Sequence, residues 1–162
     1  MSDIIHGFEP FCDENSIVLI LGSFPSVKSR ETSFYYGNPR NRFWQMLSSF
    51  FGKSIGESVP EKKKFLLDQR IALWDVVSEC RIRGSSDASI TGYRIADLSS
   101  LSCLKNLRAV LLNGSTAARI FEEKYAGFCV PYFRMPSTSP ANPRYDCAVW
   151  HAALRGVFGA QN

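Results

Sequence analysis

The stretch Ser16-Ile17-Val18-Leu19-Ile20-Leu21-Gly22 decides the fold class. Its aliphatic and β-branched residues form a continuous run, and Gly22 ends it. Such a run is typical of a strand that is buried on both faces, as strands are inside a parallel sheet. The run is far too short to span a bilayer, so it predicts no membrane segment.

Further segments of the same kind alternate with segments of helical periodicity. The other predicted strands are residues 71–77, 109–112 and 129–133, and the predicted helices are residues 41–51, 60–69, 94–104, 116–125 and 146–158. Strands and helices in alternation predict an α/β fold, because each parallel crossover needs a helix. We expect a three-layer αβα sandwich with a central four-stranded parallel sheet, forming a single domain over residues 1–162.

The composition of the chain disfavours several classes of protein, among them metal-binding and disulfide-rich proteins. The 162 residues include two histidines and five cysteines, an odd count without any C-x-x-C pair. A three-histidine metal site is therefore impossible, and a disulfide framework, a zinc ribbon or an iron–sulfur cluster is disfavoured. We expect no metal, a reducing compartment and a cytoplasmic protein, since the acidic N-terminus is unlike a secretory signal. The net charge of +4 suits a polyanionic partner.

A parallel sheet binds its ligand beyond the carboxyl ends of its strands. The relevant loops are residues 22–40, the segment after Asp75, residues 113–116 and the Ser/Pro-rich residues 136–145. None carries a dinucleotide fingerprint or a Walker lysine. By residue type alone, Asn41 is typical of a helix N-cap. The tyrosines at 35 and 36 are then interpreted as packing against the sheet edge. Asp75 would cap the next turn or form an ion pair with Arg81 or Arg83. The functional alternative is a pocket with an aromatic face that stacks a base.

Four motifs in order carry a resemblance. They are Val18-Leu19-Ile20-Leu21-Gly22-Ser23, Tyr35-Tyr36-Gly37-Asn38-Pro39-Arg40-Asn41-Arg42-Phe43-Trp44, Ile71-Ala72-Leu73-Trp74-Asp75-Val76-Val77 and Pro136-Ser137-Thr138-Ser139-Pro140-Ala141-Asn142. The sequence resembles the uracil-DNA glycosylase superfamily, and within it the hypoxanthine-DNA glycosylase branch. The resemblance implies a monofunctional DNA glycosylase without cofactor that acts as a monomer on DNA containing deaminated bases in base excision repair.

The resemblance also implies roles for residues. Asn41 matches the catalytic Asn that holds the attacking water, and Asn38 is a second candidate. The family's first motif usually has an Asn where this chain has Phe24, which departs from the pattern. Tyr36 matches the ring that stacks on the extruded base. Asp75, or Trp74 if the alignment shifts by one residue, matches the position that reads the base edge.

Further base and DNA contacts are expected around these residues. The base pocket is expected to include Gly22, Ser23, Phe24 and Asn113. The loop expected to press into the minor groove contributes Ser137, Thr138, Ser139 and Pro140. Arginines that flank the site are candidate contacts to the DNA backbone, namely Arg40, Arg42, Arg134 and Arg144.

Two other functions remain open from the sequence. Phe24 favours a catalytically inactive nucleic-acid-binding domain on the same fold. A small-molecule hydrolase on a Rossmann-like sheet is disfavoured, because no phosphate-binding glycines and no nucleophile–base pair are present.

Overall fold

The computed structural model describes residues 3–161. In chain order its elements are β1 (Ile5–His6), β2 (Val18–Gly22), α1 (Val27–Thr32), α2 (Phe43–Phe51), α3 (Val59–Asp68), β3 (Ile71–Asp75), β4 (Val77–Arg81), β5 (Thr91–Ile95), β6 (Ala109–Asn113), α4 (Ser115–Tyr125), β7 (Tyr132–Met135) and α5 (Cys147–Phe158). Three short 3₁₀ turns lie at Asp87–Ser89, Leu98–Ser100 and Leu104–Asn106.

The central sheet confirms the predicted fold class. Its four strands run parallel in the order β3-β2-β6-β7. Every residue of β2, β3 and β6 is buried, which is why these strands are continuously apolar. Helix α3 packs against β3, α4 against β6 and β7, and α5 against β7 and α2.

The sheet register brings the polar strand ends together. Gly22 at the end of β2 is paired with Asp75 at the end of β3. Asn113 at the end of β6 is paired with Met135 at the end of β7. Since all four strands run parallel, these carboxyl ends form one edge of the sheet, and the site is built there.

The predicted strand over residues 71–77 is divided in two. The backbone N–H of Val76 donates to the carbonyl of Gly22, and that of Val77 donates to the carbonyl of Ser23. The chain therefore crosses the end of β2 and continues as β4, which enters a second, antiparallel sheet in the order β1-β4-β5. The sequence pattern predicted one strand because Val76 and Val77 continue the buried run directly after Asp75.

The predicted helix over residues 94–104 is wrong. The segment begins in β5, which pairs with β4, and continues as two 3₁₀ turns. Asp97 starts the first turn by accepting a hydrogen bond from the backbone N–H of Ser99. The leucines at positions 98, 101, 104 and 107 recur every three residues, a spacing that serves 3₁₀ turns as well as one face of an α-helix.

Two other boundaries differ from the prediction. The last strand begins at Tyr132 instead of residue 129, since Pro131 has no N–H to donate and enters the sheet through its carbonyl, which accepts from Val110. The loop over residues 22–40 contains α1, which Ser26 caps by accepting from the backbone N–H of Ser29. No helix within residues 3–161 has the length and apolar character needed to cross a membrane.

The first prediction tests the central strand. Ile20 is fully buried between Leu73 and Leu111 of the neighbouring strands. We expect Ile20→Ala to lower the free energy of unfolding by about 2–5 kcal/mol, because it removes buried methylenes and leaves a cavity. Urea denaturation measures this change. Val149→Ala on the exposed face of α5 is the control and should stay within about 0.5 kcal/mol. Equal effects of the two substitutions would contradict this packing.

Candidate active site

A pocket of about 260 Å³ opens at the carboxyl edge of the parallel sheet. It brings together residues from all four loops that the sequence singled out. The predicted site residues that line it are Gly22, Ser23, Phe24, Tyr36, Asn38, Asn41, Asp75, Asn113, Ser137, Thr138, Ser139 and Pro140. Arg40 and Arg144 are exposed to solvent and do not line the pocket.

Gly22 permits a close approach of polar groups in the pocket. A Cβ at this position would lie 2.6 Å from Oδ1 of Asp75 and 3.2 Å from the hydroxyl of Tyr36. Contacts between carbon and oxygen atoms at 2.6 Å are not tolerated, so a side chain at Gly22 would displace Asp75. The glycine thereby lets two polar groups converge at the end of the central strand.

Asp75 is buried without a partner. Its exposed fraction is 5%, and no hydrogen bond within residues 3–161 reaches its carboxyl group. Its Oδ2 is fully enclosed. Burial, with a smaller contribution from the charge of Asp87, raises the pKa of Asp75 to about 7. An enclosed carboxyl group without a partner is rare in proteins and is typical of a site that awaits a ligand.

Tyr36 has a strained backbone at the pocket wall. Its φ of 53° lies in the left-handed region, which a bulky residue adopts only when its surroundings hold it there. The indole N–H of Trp44 donates to its carbonyl at 3.1 Å, and Nδ2 of Asn113 donates to its hydroxyl at 3.2 Å. Phe43 stacks on one face of the ring with centroids 3.9 Å apart, and Phe43 does not line the pocket.

Asn38 and Asn41 are fixed by two successive turns. Oδ1 of Asn38 accepts from the backbone N–H of Arg40, and Oδ1 of Asn41 accepts from that of Phe43. The N-cap of α2 is Arg42 and not Asn41, so the predicted cap is displaced by one residue; Asn41 lies just before it and its Oδ1 forms a turn with Phe43. The Nδ2 groups of both residues donate to no other residue in the described part of the chain, and both residues line the pocket.

A pair of reciprocal hydrogen bonds holds the Ser/Pro-rich loop to the sheet. Oδ1 of Asn113 accepts from the backbone N–H of Thr138 at 3.0 Å, and Nδ2 of Asn113 donates to the hydroxyl of Thr138 at 3.0 Å. Thr138 is fully buried. This revises its predicted role: its side chain anchors the loop from beneath instead of facing DNA. Asn113 likewise donates its amide hydrogens to Thr138 and Tyr36, so its role in the structure is to position these two residues.

Arg42 closes the same loop from the other side. Its guanidinium donates to the carbonyls of Ser139 and Asn142 and lies 4.3 Å from the ring centre of Tyr145. Its backbone N–H donates to the carbonyl of Thr138 at 3.0 Å. These contacts commit Arg42 to holding the loop, and Arg134 forms an ion pair with Glu122 on α4. Contacts of either arginine with the DNA backbone stay predictions.

Asp87 is a pocket residue that the sequence analysis missed. It stands in the 3₁₀ turn between β4 and β5, and its Oδ1 accepts a hydrogen bond of 2.7 Å from the hydroxyl of Ser23. Burial of its carboxyl raises the pKa, and the hydrogen bond from Ser23 opposes this change. The residue as a whole is exposed, so the carboxylate lies at the rim of the pocket. No metal-binding group of three or more His, Cys, Asp or Glu occurs in residues 3–161.

Comparison with known proteins identifies the family. The sequence profile of the Uracil DNA glycosylase superfamily matches residues 9–154. The chain belongs to the uracil-DNA glycosylase superfamily. The enzyme class expected from the motifs, a DNA glycosylase, is confirmed with it.

Individual relatives agree with this assignment. A protein of Methanosarcina acetivorans named hypoxanthine DNA glycosylase is 37% identical over 157 residues, which are 94% of this chain and 99% of that protein. A Methanosarcina barkeri protein of the same name is 37% identical over 110 residues, covering 67% of this chain and 70% of its own. A solution NMR structure of a candidate uracil DNA glycosylase from M. acetivorans superposes with a TM-score of 0.82 at 36% identity, covering 96% and 99% of the two chains.

The second prediction concerns the ionisation of Asp75. The unfolded chain releases this proton near the ordinary pKa of 3.8, whereas the folded chain holds it to about 7. Asp75 therefore lowers the free energy of unfolding as pH rises between these values. We expect Asp75→Asn to gain stability relative to the unsubstituted protein between pH 5 and pH 8, by about 2 kcal/mol. Urea denaturation at both pH values measures the difference, and a pH-independent difference would show that Asp75 titrates normally.

Proposed function

We propose that this DNA glycosylase excises a deaminated base, hypoxanthine or uracil, by hydrolysis with a water molecule that Asn41 positions. The observation that carries the proposal is that the amide of Asn41 and the unpartnered carboxyl group of Asp75 line one pocket. The hypoxanthine DNA glycosylases of the two Methanosarcina species, at 37% identity, support the substrate class.

The target nucleotide must leave the duplex before it can react. The N-glycosidic bond is inaccessible inside the helix, so the base is rotated out into the pocket at a cost of a few kcal/mol. A mispaired base costs least, which already favours deaminated bases. The ring of Tyr36 offsets part of this cost by stacking, which contributes about 1–3 kcal/mol per base. Phe43 braces that ring from behind, since it covers one face.

Hydrogen-bond polarity then distinguishes the base. Hypoxanthine presents an N1–H donor and uracil an N3–H donor, whereas adenine and cytosine present bare ring nitrogens at the corresponding places. An ionised carboxylate can only accept hydrogen bonds. Asp75 has no hydrogen-bond partner within residues 3–161, and the N–H of a deaminated base supplies one. When Asp75 is ionised, the bare ring nitrogen of adenine or cytosine faces a second acceptor and stays without a hydrogen bond, which is costly.

Cleavage follows from the charge that develops on the sugar. The transition state resembles an oxocarbenium ion, as in other glycosidic cleavage. The DNA phosphates already supply negative charge near the sugar, so a strong general base is not needed. The Asn41 amide orients a water molecule toward the anomeric carbon, and this positioning is its contribution. The water adds its oxygen to that carbon and releases a proton, the bond to the base breaks, and the base leaves with the electron pair and takes up a proton.

The third prediction is release of the base without strand cleavage. The purified protein is incubated with labelled duplexes carrying one hypoxanthine or one uracil, and abasic sites are then cut with alkali. We expect strand breaks after alkali and none before it, because no lysine in the matched motifs stands ready to form a Schiff base. Breaks before alkali would contradict the monofunctional reaction. Binding without any base release would favour the inactive DNA-binding domain instead.

The fourth prediction separates the catalytic role of Asn41 from its role in the turn before α2. We expect Asn41→Ala to lose about 1 kcal/mol of stability with the hydrogen bond from the backbone N–H of Phe43, and to lower single-turnover excision by about 100-fold. Asn41→Ser keeps a side-chain oxygen for this turn and should recover the stability but not the rate. Thermal unfolding and single-turnover kinetics are measured on the same samples. Asn15→Ala, on an exposed turn, is the control. Undiminished excision in Asn41→Ala would transfer the role to Asn38.

A further inference from the structure

We propose that Asp87 determines the base selectivity of the pocket by holding the hydroxyl proton of Ser23, so that Ser23 can only accept hydrogen bonds from a bound base. The inference rests on the proposed function and assigns a positioning residue to it. Asp87 lies outside every motif that carries the family resemblance, and it reaches the pocket through the loop between β4 and β5.

The polarity argument begins with the hydroxyl group of Ser23. A serine hydroxyl has one hydrogen to donate and two lone pairs to accept, and a free hydroxyl rotates to suit whichever ligand atom it meets. Here the hydrogen is committed to Oδ1 of Asp87 at 2.7 Å. A hydrogen bond to a carboxylate is about twice as strong as one between neutral groups, so a ligand nitrogen does not readily recover that hydrogen. Ser23 lines the pocket, and only the lone pairs of its hydroxyl oxygen remain to form hydrogen bonds with a ligand.

The loop that carries Asp87 is anchored on both sides of this contact. The hydroxyl of Ser85 accepts from the backbone N–H of Val27 at 2.9 Å. The guanidinium of Arg30 donates to the carbonyls of Gly84 and Pro25, and so joins the loop to the segment that follows Ser23. Ser89 ties the turn to itself by bonds to Arg83 and Ser86. Asp87 is therefore held over Ser23 by a built loop instead of meeting it by chance.

The same arrangement explains why two carboxyl groups share one small pocket. Asp75 is enclosed at the end of β3, and Asp87 lies at the rim. With the hydroxyl of Ser23 locked by Asp87, Ser23 and Asp75 both offer acceptors to the single ring N–H of hypoxanthine or uracil. The bare N1 of adenine finds no donor from either residue when Asp75 is ionised, and only the exocyclic amino group of adenine can donate to them.

Binding to uncleavable DNA measures this selectivity directly. Two duplexes carry 2′-fluoro-deoxyinosine or 2′-fluoro-deoxyadenosine opposite the same abasic analogue, so that neither base has a pairing partner to lose. We expect the unsubstituted protein to prefer the inosine duplex. Asp87→Ala frees the hydroxyl of Ser23 to donate to N1 of adenine, and should lower the ratio of the two dissociation constants by about tenfold. Asp87→Asn should lower it in the same direction, since its amide can donate to Ser23.

The double variant Asp87→Ala with Ser23→Ala decides the route. If Asp87 acts through Ser23, the improved binding of the adenine duplex in Asp87→Ala disappears when Ser23 is also replaced. If it persists, Asp87 acts through the charge of Asp75 instead, and the inference is overturned. An unchanged ratio in both Asp87 variants, or no preference in the unsubstituted protein, also overturns it. Asp97→Ala is the matched control, since Asp97 caps an exposed 3₁₀ turn through Ser99.

These results are distinguishable from failure of the proposed function. A protein that releases neither hypoxanthine nor uracil from ordinary duplexes fails as the proposed glycosylase, whatever its binding preferences. A protein that releases hypoxanthine, but whose ratio does not respond to Asp87, keeps the proposed function and loses only this assignment. Circular dichroism and thermal unfolding of each variant establish that it is folded before its ratio is compared.

Discussion

The two reciprocal hydrogen bonds between Asn113 and Thr138 are the constraint on which the pocket depends. They join the end of β6 to a loop that has no regular structure of its own. From Thr138 the constraint continues to Arg42, whose backbone N–H donates to the Thr138 carbonyl. Asn41 precedes Arg42 and is thereby fixed relative to the sheet. The amide of Asn113 also supports the hydroxyl of Tyr36. One buried side chain thus sets the positions of the loop, the stacking ring and the proposed water-holding residue.

The sequence predicted the parts of this arrangement that depend on local pattern. The strands β2, β3 and β6 are continuously apolar because both faces of the sheet are covered, and that pattern is readable residue by residue. The site followed from a topological rule, since parallel strands end at a common edge. The motif residues Gly22, Tyr36, Asn41 and Asp75 were then found around one pocket.

The missed features depend on contacts between distant segments. Asp87 lies in a polar loop without periodicity, and it reaches Ser23 only because β4 and β5 pair and return the chain over the end of β2. The direction of Arg42 is set by carbonyl groups about 97 residues away, which no local pattern reveals. The leucines from position 98 fit two helical geometries, and the pairing of β5 with β4 decides between them.

Asp75 shows how the fold gives up stability at its site. A buried carboxyl group without a hydrogen-bond partner weakens the folded state at neutral pH, and a hydrophobic residue of similar size would not. The surroundings nevertheless enclose it: Gly22 leaves room for its oxygen, and the tyrosines at 35 and 36 border the same pocket. A base that brings an N–H to this carboxyl group relieves an unfavourable state of the free protein. The relief of this unfavourable state therefore adds to the binding free energy, beyond the other contacts that the base makes.

The polarity of the pocket bears on selectivity more strongly than its size does. Removing one matched hydrogen bond changes a binding free energy by about 1 kcal/mol, because water competes for both partners in the free state. Forcing two acceptors together in a desolvated pocket costs more, because neither can return to water. In the proposed function, the ionised carboxyl group of Asp75 and a proton-committed Ser23 therefore act mainly by disfavouring the bare ring nitrogens of adenine and cytosine. Exclusion is what a repair enzyme requires, since undamaged bases outnumber its substrates at every encounter with DNA.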